Sequence, residues 1–249
     1  MVNNEEMAMK KKLLIGLIAT LSWGVSSAET VLNVGLIDQD RAPYFYRSGD
    51  DGQIRGAYID ILNIIGEKLD VTFTYKQLPQ ARIRLYMKNG QLDLEPGIAQ
   101  DWRLEPGEIK ATVYTDTFYR SEEVIVYNPK QFKQTKVDIS DFDQLIPCSI
   151  LGFNDFKLIN VNTKNEIATE KQSIHLLKLN RCDYALFPID VIKPEIEQGY
   201  LERTKPVAIY NLRFRLAKKY QYLLPEFNRQ IKLMTESGEI TRIMNEHTE

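Results

Sequence analysis

The sequence predicts an α/β protein of two lobes, each a mainly parallel β-sheet flanked by helices, with two strands joining the lobes. Short apolar segments alternate with longer amphipathic segments over residues 31–95, a pattern typical of β-α-β units. The same alternation restarts near residue 121 and continues towards the end of the chain. No proline- or serine-rich linker separates the halves, so we expect them to form one molecule.

The first half supplies the clearest elements. The apolar run VLNVGLI predicts the first strand, and the first helix carries an apolar face from Ile61 to Leu69. Gly90 suits the left-handed position that follows a helix end, and Pro96-Gly97 is expected to break the third strand. The predicted elements are a strand at 31–37, a helix at 56–70, a strand at 71–77, a helix at 80–89 and a strand at 92–95.

The second half follows the same design. Ser140 is a plausible N-cap for the segment SDFDQLI, and Ser237-Gly238 divides the C-terminal helical region into two pieces. The remaining predicted elements are strands at 121–129, 148–151, 183–189 and 207–216, and a helix at 171–180.

Two strand-like segments, near 123–128 and 205–212, are predicted to cross between the lobes and to let them hinge. The predicted domain boundaries follow from these crossings. Lobe 1 is expected to contain residues 29–125 and 208–249, and lobe 2 residues 126–207.

The N-terminal segment 1–28 has the features of a secretory signal. Three lysines precede an apolar run from Leu13 to Val25, and small residues follow up to Ala28. Removing this segment takes away three lysines and two glutamates, which changes the net charge from −2 to about −3. This charge argues against a nucleic-acid-binding protein, which needs a basic face. The alternative is an N-terminal anchor that is retained.

The two cysteines, Cys148 and Cys182, lie outside any CxxC motif, which argues against a redox motif or a zinc site. In an oxidising compartment they permit one disulfide, and two buried thiols are the alternative. Both cysteines precede or begin strands that are expected to be neighbours, which makes a disulfide sterically possible. A disulfide requires Cα atoms about 4.4–6.8 Å apart.

A binding site is predicted beyond the carboxyl ends of the strands, where open parallel sheets bind ligands. The residues there have recognition chemistry, because aromatic rings provide flat apolar contact and arginine provides a planar fork for carboxylates or phosphates. Each of these residues could instead pack in the apolar core or lie on the solvent-exposed surface. The candidate ligand-binding residues are Asp38, Tyr44, Phe45, Gln80, Arg82, Glu95, Trp102, Arg103, Phe153, Asn154 and Asp190.

The sequence gives little indication of a catalytic site. His175 lies in a predicted helix and His247 near the C-terminus, so neither is expected at the strand ends. No HExxH motif, phosphate-binding glycine-rich loop or metal-spaced cluster is present, so no cofactor or metal is expected. Glu95 with another carboxylate could form an acid/base pair.

Five stretches, in order, carry a resemblance to a known family: APYFYRSGDDGQIRGAYIDIL, LPQARIRLYMKNGQLD, VYTDTFYRSEEVIVY, SIHLLKLNRCDYAL and FNRQIKLMTESGEITRI. The chain from about Val31 to His247 resembles the extracellular solute-binding proteins of family 3, the periplasmic binding proteins of polar amino acid ABC transporters. The resemblance implies the type II periplasmic-binding fold, a monomer that clamps a small ligand between its lobes.

The resemblance also implies roles for individual residues. In this family an arginine binds the α-carboxylate of the ligand, and Arg103 is the nearest match. The match is imperfect because AQDW precedes Arg103 and because spacing alone would place the arginine at the position of Glu108. The second-lobe loop GFND has Phe153 and Asn154 in place of small hydroxyl residues. The position of the amine-binding aspartate holds Pro188, with Asp190 two residues further on.

These departures lead to a ligand hypothesis: a small carboxylate-bearing or otherwise polar solute, such as an amino acid, packed on aromatic rings and held by Arg103 or Arg82. The protein is expected to be non-catalytic and periplasmic, and to present its ligand to a membrane permease of an ABC transporter or to a sensor ectodomain. The alternatives are a dehydratase- or lyase-like enzyme with Glu95 as acid/base, and an interaction module without a small-molecule ligand.

Overall fold

The computed structural model describes residues 30–49, 51–132, 137, 139–151, 153 and 164–248. The predicted signal segment and the predicted ligand contact Asn154 lie outside these residues.

The described chain contains twelve strands and seven helices. The strands are β1 (Thr30–Ile37), β2 (Tyr46–Arg47), β3 (Ile54–Arg55), β4 (Val71–Leu78), β5 (Leu94–Ile98), β6 (Thr112–Tyr114), β7 (Tyr119–Tyr127), β8 (Cys148–Ile150), β9 (Asn165–Ile167), β10 (Tyr184–Pro188), β11 (Glu202–Arg203) and β12 (Ala208–Ala217). The helices are α1 (Ala57–Leu69), α2 (Gln80–Lys88), α3 (Pro106–Ala111), α4 (Glu170–Lys178), α5 (Ile189–Glu197), α6 (Leu224–Glu236) and α7 (Glu239–Glu246).

The central sheet is mixed and has the strand order β10-β7-β12-β5-β1-β4. Strand β1 runs parallel to both β4 and β5, as expected for β-α-β units. Strand β12 is antiparallel to both β5 and β7. The two-lobed α/β fold is confirmed, and the sheet is less parallel than expected because the chain crosses between the lobes once in each direction.

The two crossing strands pair with each other from Ala208↔Glu123 to Leu212↔Tyr119. This antiparallel ladder is the connection between the lobes. It includes residues 208–212 of one predicted crossing and Glu123, the first residue of the other. The exact residue boundaries of the lobes stay a prediction.

The apolar core differs between the lobes. We call the region around β1, β4, β5, α1, α2, α6 and α7 the first lobe, and it has one large core that includes Leu32, Ile61, Phe214 and Phe227. A small satellite cluster in this lobe contains Ile83, Met87 and Leu92. We call the region around β8, β9, β10, α4 and α5 the second lobe. It has two smaller clusters, one around Phe187 and the other around Phe142.

The prediction that Pro96-Gly97 ends the third strand is wrong. Strand β5 includes both residues, and its register against β12 shifts between Arg213 and Arg215. A proline cannot donate a hydrogen bond to a ladder, so it is tolerated at such an irregularity.

Two further local expectations differ from the structure. The segment after Ser140 forms a short 3₁₀ turn, Ile139–Phe142, instead of a longer helix. Helix α5, which the sequence patterns did not single out, begins at Ile189 and contains Pro194. Pro194 is the sixth residue of this helix, so it removes the one hydrogen bond that its N–H would make to the oxygen of Asp190, and the helix nevertheless continues to Glu197.

Cys148 and Cys182 form a disulfide in the second lobe, with their Cα atoms 5.6 Å apart. The disulfide joins the start of β8 to Cys182, which lies two residues before β10. A β-bridge between Pro147 and Tyr184 lies beside the disulfide. This distance lies inside the range that the bridge requires.

Among the helices that the structure describes, none is long and apolar enough to cross a membrane. The same part of the chain contains no group of three or more His, Cys, Asp or Glu side chains arranged to hold a metal ion.

Candidate functional site

A cleft lies between the lobes and opens to solvent. Its walls combine charged and aromatic side chains from both lobes and from the crossing strands. The aromatic residues are Phe45, Tyr58, Trp102, Phe153 and Tyr210, and the charged or amide residues are Arg41, Gln80, Glu95, Arg103, Glu123 and Glu170. This space suits a small solute.

The backbone of β5 brings the first-lobe wall close to α1. Gly97 has a φ of +71°, and a Cβ built there would lie 2.4 Å from Cε2 of Tyr58. A larger residue is therefore excluded both by its conformation and by the Tyr58 ring. This glycine allows the ring of Tyr58 and the strand to share one wall of the cleft.

Arg103 is buried in the first-lobe wall and is paired with Glu95. Its Nη2 donates to Glu95 Oε1 at 2.8 Å, and Nη1 donates to the backbone oxygen of Trp102 at 3.2 Å. Glu95 also accepts from Arg215 Nη1 at 2.8 Å and from Gln80 Nε2 at 3.1 Å. The arginine that was expected to meet a ligand carboxylate thus already faces a carboxylate of this chain.

The pair extends into a buried ionic network behind the cleft. Glu108, which stands where family spacing would place an arginine, accepts from Arg84 Nη2 at 2.7 Å and lies 3.4 Å from Arg215 Nη2. Burial alone would raise the pKa of Glu95, but Arg103 and Arg215 hold it down to about 2. Glu95 is therefore ionised at neutral pH, because its charge is compensated on two sides.

A second arginine–glutamate pair crosses the cleft. Arg41, from the loop after β1, contacts Glu170 at the start of α4 through Nη2 at 2.9 Å and Nε at 3.1 Å. Gln39 Oε1 accepts from the backbone N–H of Glu170 at 3.1 Å. Burial opposes the charge of Arg41, but Glu170 outweighs it and raises the Arg41 pKa. These contacts join the first lobe to the second.

Arg41 also lies against aromatic rings. Its Cζ is 5.5 Å from the ring centroid of Tyr44 and 5.7 Å from that of Phe153, distances at which cation–π attraction acts. The guanidinium therefore lies between a first-lobe ring and a second-lobe ring.

Asp190 and Tyr44 meet each other and do not line the cleft. Asp190 Oδ2 accepts from Tyr44 Oη at 3.1 Å and from Tyr119 Oη at 2.8 Å. Burial first, and then nearby groups that include Asp190, raise the pKa of both tyrosines. Both hydroxyls therefore stay protonated and donate to Asp190, which forms a second connection between the lobes beside the crossing strands.

The structure brings six of the predicted ligand contacts together in the cleft wall: Phe45, Gln80, Glu95, Trp102, Arg103 and Phe153. Asp38 and Arg82 are exposed and lie outside this lining. The sequence patterns did not predict five charged or aromatic residues of the lining: Arg41, Tyr58, Glu123, Glu170 and Tyr210. They also did not predict Gln39, which contacts Glu170. The loop position of Arg41, three residues after Asp38, was the available signal; Glu170 and Tyr210 had none, because only folding brings them there.

Neither histidine contributes to the cleft lining. His247 Nε2 lies 2.7 Å from Asp60 Oδ2, and Tyr46 Oη lies 3.0 Å from its Nδ1. These contacts attach the C-terminal end to the outer side of the first lobe.

The chain matches the family model of the bacterial extracellular solute-binding proteins, family 3, over residues 32–249. No curated protein sequence matches it.

Among solved structures, it is similar to an amino acid ABC transporter substrate-binding protein, AbpA, from Streptococcus pneumoniae bound to L-arginine. The two are 19% identical, the match covers 88% of this chain and 94% of that one, and the TM-score is 0.75.

Two further structures are similar. One is the GluR0 ligand-binding core in complex with L-glutamate, which is 14% identical, with 89% and 100% of the chains covered and a TM-score of 0.75. The other is the ancestral amino acid-binding protein AncCDT-1, a precursor of cyclohexadienyl dehydratase, which is 16% identical, with 88% and 96% covered and a TM-score of 0.73. At these identities the likeness establishes the fold.

Proposed function

The chain belongs to the bacterial extracellular solute-binding proteins of family 3, and we propose that it captures a small polar solute of amino-acid size in the cleft between its lobes. The observation that carries this proposal is the cleft itself, where the two lobes place charged groups and five aromatic rings around one space. Concave sites of this composition are typical of small-molecule binding.

The contacts across the cleft support binding by closure. The Arg41–Glu170 pair and the Tyr44–Asp190 hydrogen bond both form only when the lobes are near each other. A solute between the lobes adds contacts to both walls, so it stabilises the closed arrangement over an open one. The structural neighbours that bind L-arginine and L-glutamate make amino acids the first solutes to examine.

The partner and the compartment follow from the same proposal. A binding protein that closes around its solute presents a surface from both lobes to a membrane permease of an ABC transporter or to a sensor ectodomain. The family is extracellular by its description, which supports the proposal that this chain acts in the periplasm after its N-terminal segment has directed export.

A catalytic role has less support. The neighbour that is a precursor of a dehydratase keeps the enzyme alternative open, with Glu95 as its acid/base. However, Glu95 accepts hydrogen bonds from three side chains of this protein, and its lowered pKa makes it a poor proton donor or acceptor near neutral pH. We therefore propose a non-catalytic protein, and conversion of a bound solute detected by mass spectrometry would overturn this.

Calorimetry of the purified protein with amino acids, organic acids, amines and short peptides tests the proposed function. We expect one class to bind, and Trp102→Ala to weaken that binding about tenfold or more, since an aromatic side chain that packs on the ligand contributes about 1.4 kcal/mol or more. Arg82→Ala is the control, because Arg82 is exposed outside the lining, and its affinity should match the wild type. Absence of binding throughout, or equal loss in both variants, contradicts the proposal.

A further inference from the structure

We propose that the cleft selects cationic, amine-bearing solutes and discriminates against solutes with a free carboxylate. This inference rests on the proposed function and specifies its substrate class. It reverses the expectation that an arginine of the cleft grips the carboxylate of a ligand.

The first argument is that both cationic side chains in the described part of the cleft lining are already neutralised. Arg103 pairs with Glu95 at 2.8 Å and Arg41 pairs with Glu170 at 2.9 Å. Lysine is absent from the described lining. A ligand carboxylate would therefore meet two arginines whose charges are already compensated by Glu95 and Glu170.

The second argument is that these carboxylates resist displacement. Glu170 is held by Arg41 and by the side chain of Gln39, and it lies at the first position of α4, where the helix dipole favours a negative charge. Only 6% of its side chain is exposed. If a ligand took its arginine, Glu170 would remain as a buried, less compensated charge, which is strongly unfavourable.

Glu95 is held more firmly still. Both of its oxygens accept from arginines, Oε1 from Arg103 and Oε2 from Arg215, and its side chain is 3% exposed. A competing carboxylate on Arg103 would leave Glu95 with Arg215 and Gln80 and would bring a further negative charge next to it. The geometry therefore favours the native pair over a pair with the ligand.

The third argument is that the same walls suit an ammonium group. A carboxylate offers about four acceptor positions, and Glu95 accepts three hydrogen bonds from this chain, so Glu95 has capacity for a ligand donor without losing its arginines. The rings of Trp102, Tyr210 and Tyr58 line the same space, and aromatic faces attract organic cations. An amine can therefore bind without breaking any contact that holds the cleft together.

Matched pairs of ligands test this directly, because each pair differs by one carboxylate: agmatine and arginine, cadaverine and lysine, histamine and histidine. Calorimetry on the wild-type protein should show at least one amine binding at least tenfold more tightly than its parent amino acid. An amino acid that binds as tightly as its amine, or more tightly, overturns the inference and leaves the proposed function intact. If no member of any pair binds, the inference fails, and the wider panel then decides the proposed function separately.

Glu170→Gln provides a second readout. Removing this charge frees Arg41 for a ligand carboxylate, so the preference for the amine over the parent amino acid should fall about tenfold. Glu122→Gln is the matched control, because Glu122 is exposed on β7 and outside the lining. The Glu122→Gln protein should prefer the amine over the parent amino acid as strongly as the wild type does. A folded Glu170→Gln protein with an unchanged preference also overturns the inference.

Discussion

The two lobes are held together by different means. The first lobe has one large apolar core and, behind the cleft, an ionic network with a buried centre of Glu95, Arg103, Glu108 and Arg215. The partly exposed Arg84 and the exposed Glu105 extend this network towards the surface. The second lobe has two small apolar clusters and a disulfide between Cys148 and Cys182.

Because the lobes differ in this way, the two walls of the cleft have unequal roles. The ionic network fixes the orientation of Arg103 and Glu95, so the first-lobe wall is preorganised for a ligand. The second lobe contributes Phe153 and Glu170, whose positions depend on closure. The Arg41–Glu170 pair therefore reports on closure, whereas the Arg103–Glu95 pair reports on the stability of the first lobe.

The largest expected effect is that of Arg215→Met on stability. Arg215 is fully buried and contacts Glu95, Glu108 and Thr112. Its removal leaves two buried carboxylates with fewer partners, which should lower the free energy of unfolding by about 3–5 kcal/mol. Urea denaturation followed by circular dichroism measures this loss.

Arg55→Met is the matched control for that experiment. Arg55 also pairs with a carboxylate, Asp51, but 54% of its side chain is exposed, so its loss should cost less than about 1 kcal/mol. Equal effects of the two substitutions would contradict the view that the ionic network stabilises the first lobe.

A smaller and more local effect is expected from the disulfide. Replacing Cys148 and Cys182 together with serine should destabilise the second lobe by roughly 2–4 kcal/mol, because the bridge restrains the unfolded chain. Native-state hydrogen exchange should show lost protection in β8 and β10 and little change in β1 and β5. A uniform loss of protection in both lobes would contradict the contrast between them.

The smallest effect on stability, with the clearest effect on shape, is expected for Arg41→Met. This substitution leaves Glu170 without its arginine in the closed arrangement, but both apolar cores stay intact and Glu170 regains water when the lobes separate, so the unfolding free energy should change less than it does for Arg215→Met or for the double cysteine replacement. Small-angle scattering without ligand should show a larger radius of gyration, as the lobes separate about β7 and β12. A radius identical to that of the wild type would mean that other contacts alone hold the lobes.

Much of the fold could be predicted from local patterns. The strand VLNVGLI, the helix with its apolar face from Ile61 to Leu69, and the break at Ser237-Gly238 all lie where the sequence placed them. Apolar periodicity and glycine positions involve residues that are close together in the chain, so they can be recognised in the sequence. Pro96 misled the prediction because its tolerance depends on the irregular pairing with β12.

By itself, the sequence determined the alternation of strands and helices, the two-lobed fold and the strand ends that border the cleft, because these depend on local periodicity and general rules of sheet topology. Only the tertiary structure decided how the charges pair. Glu170 lies 129 residues from Arg41, and Arg215 lies 120 residues from Glu95, so no local pattern relates them. Folding therefore decided that the cleft arginines are occupied by this chain's own carboxylates, since a pairing in space depends on the path of the whole chain.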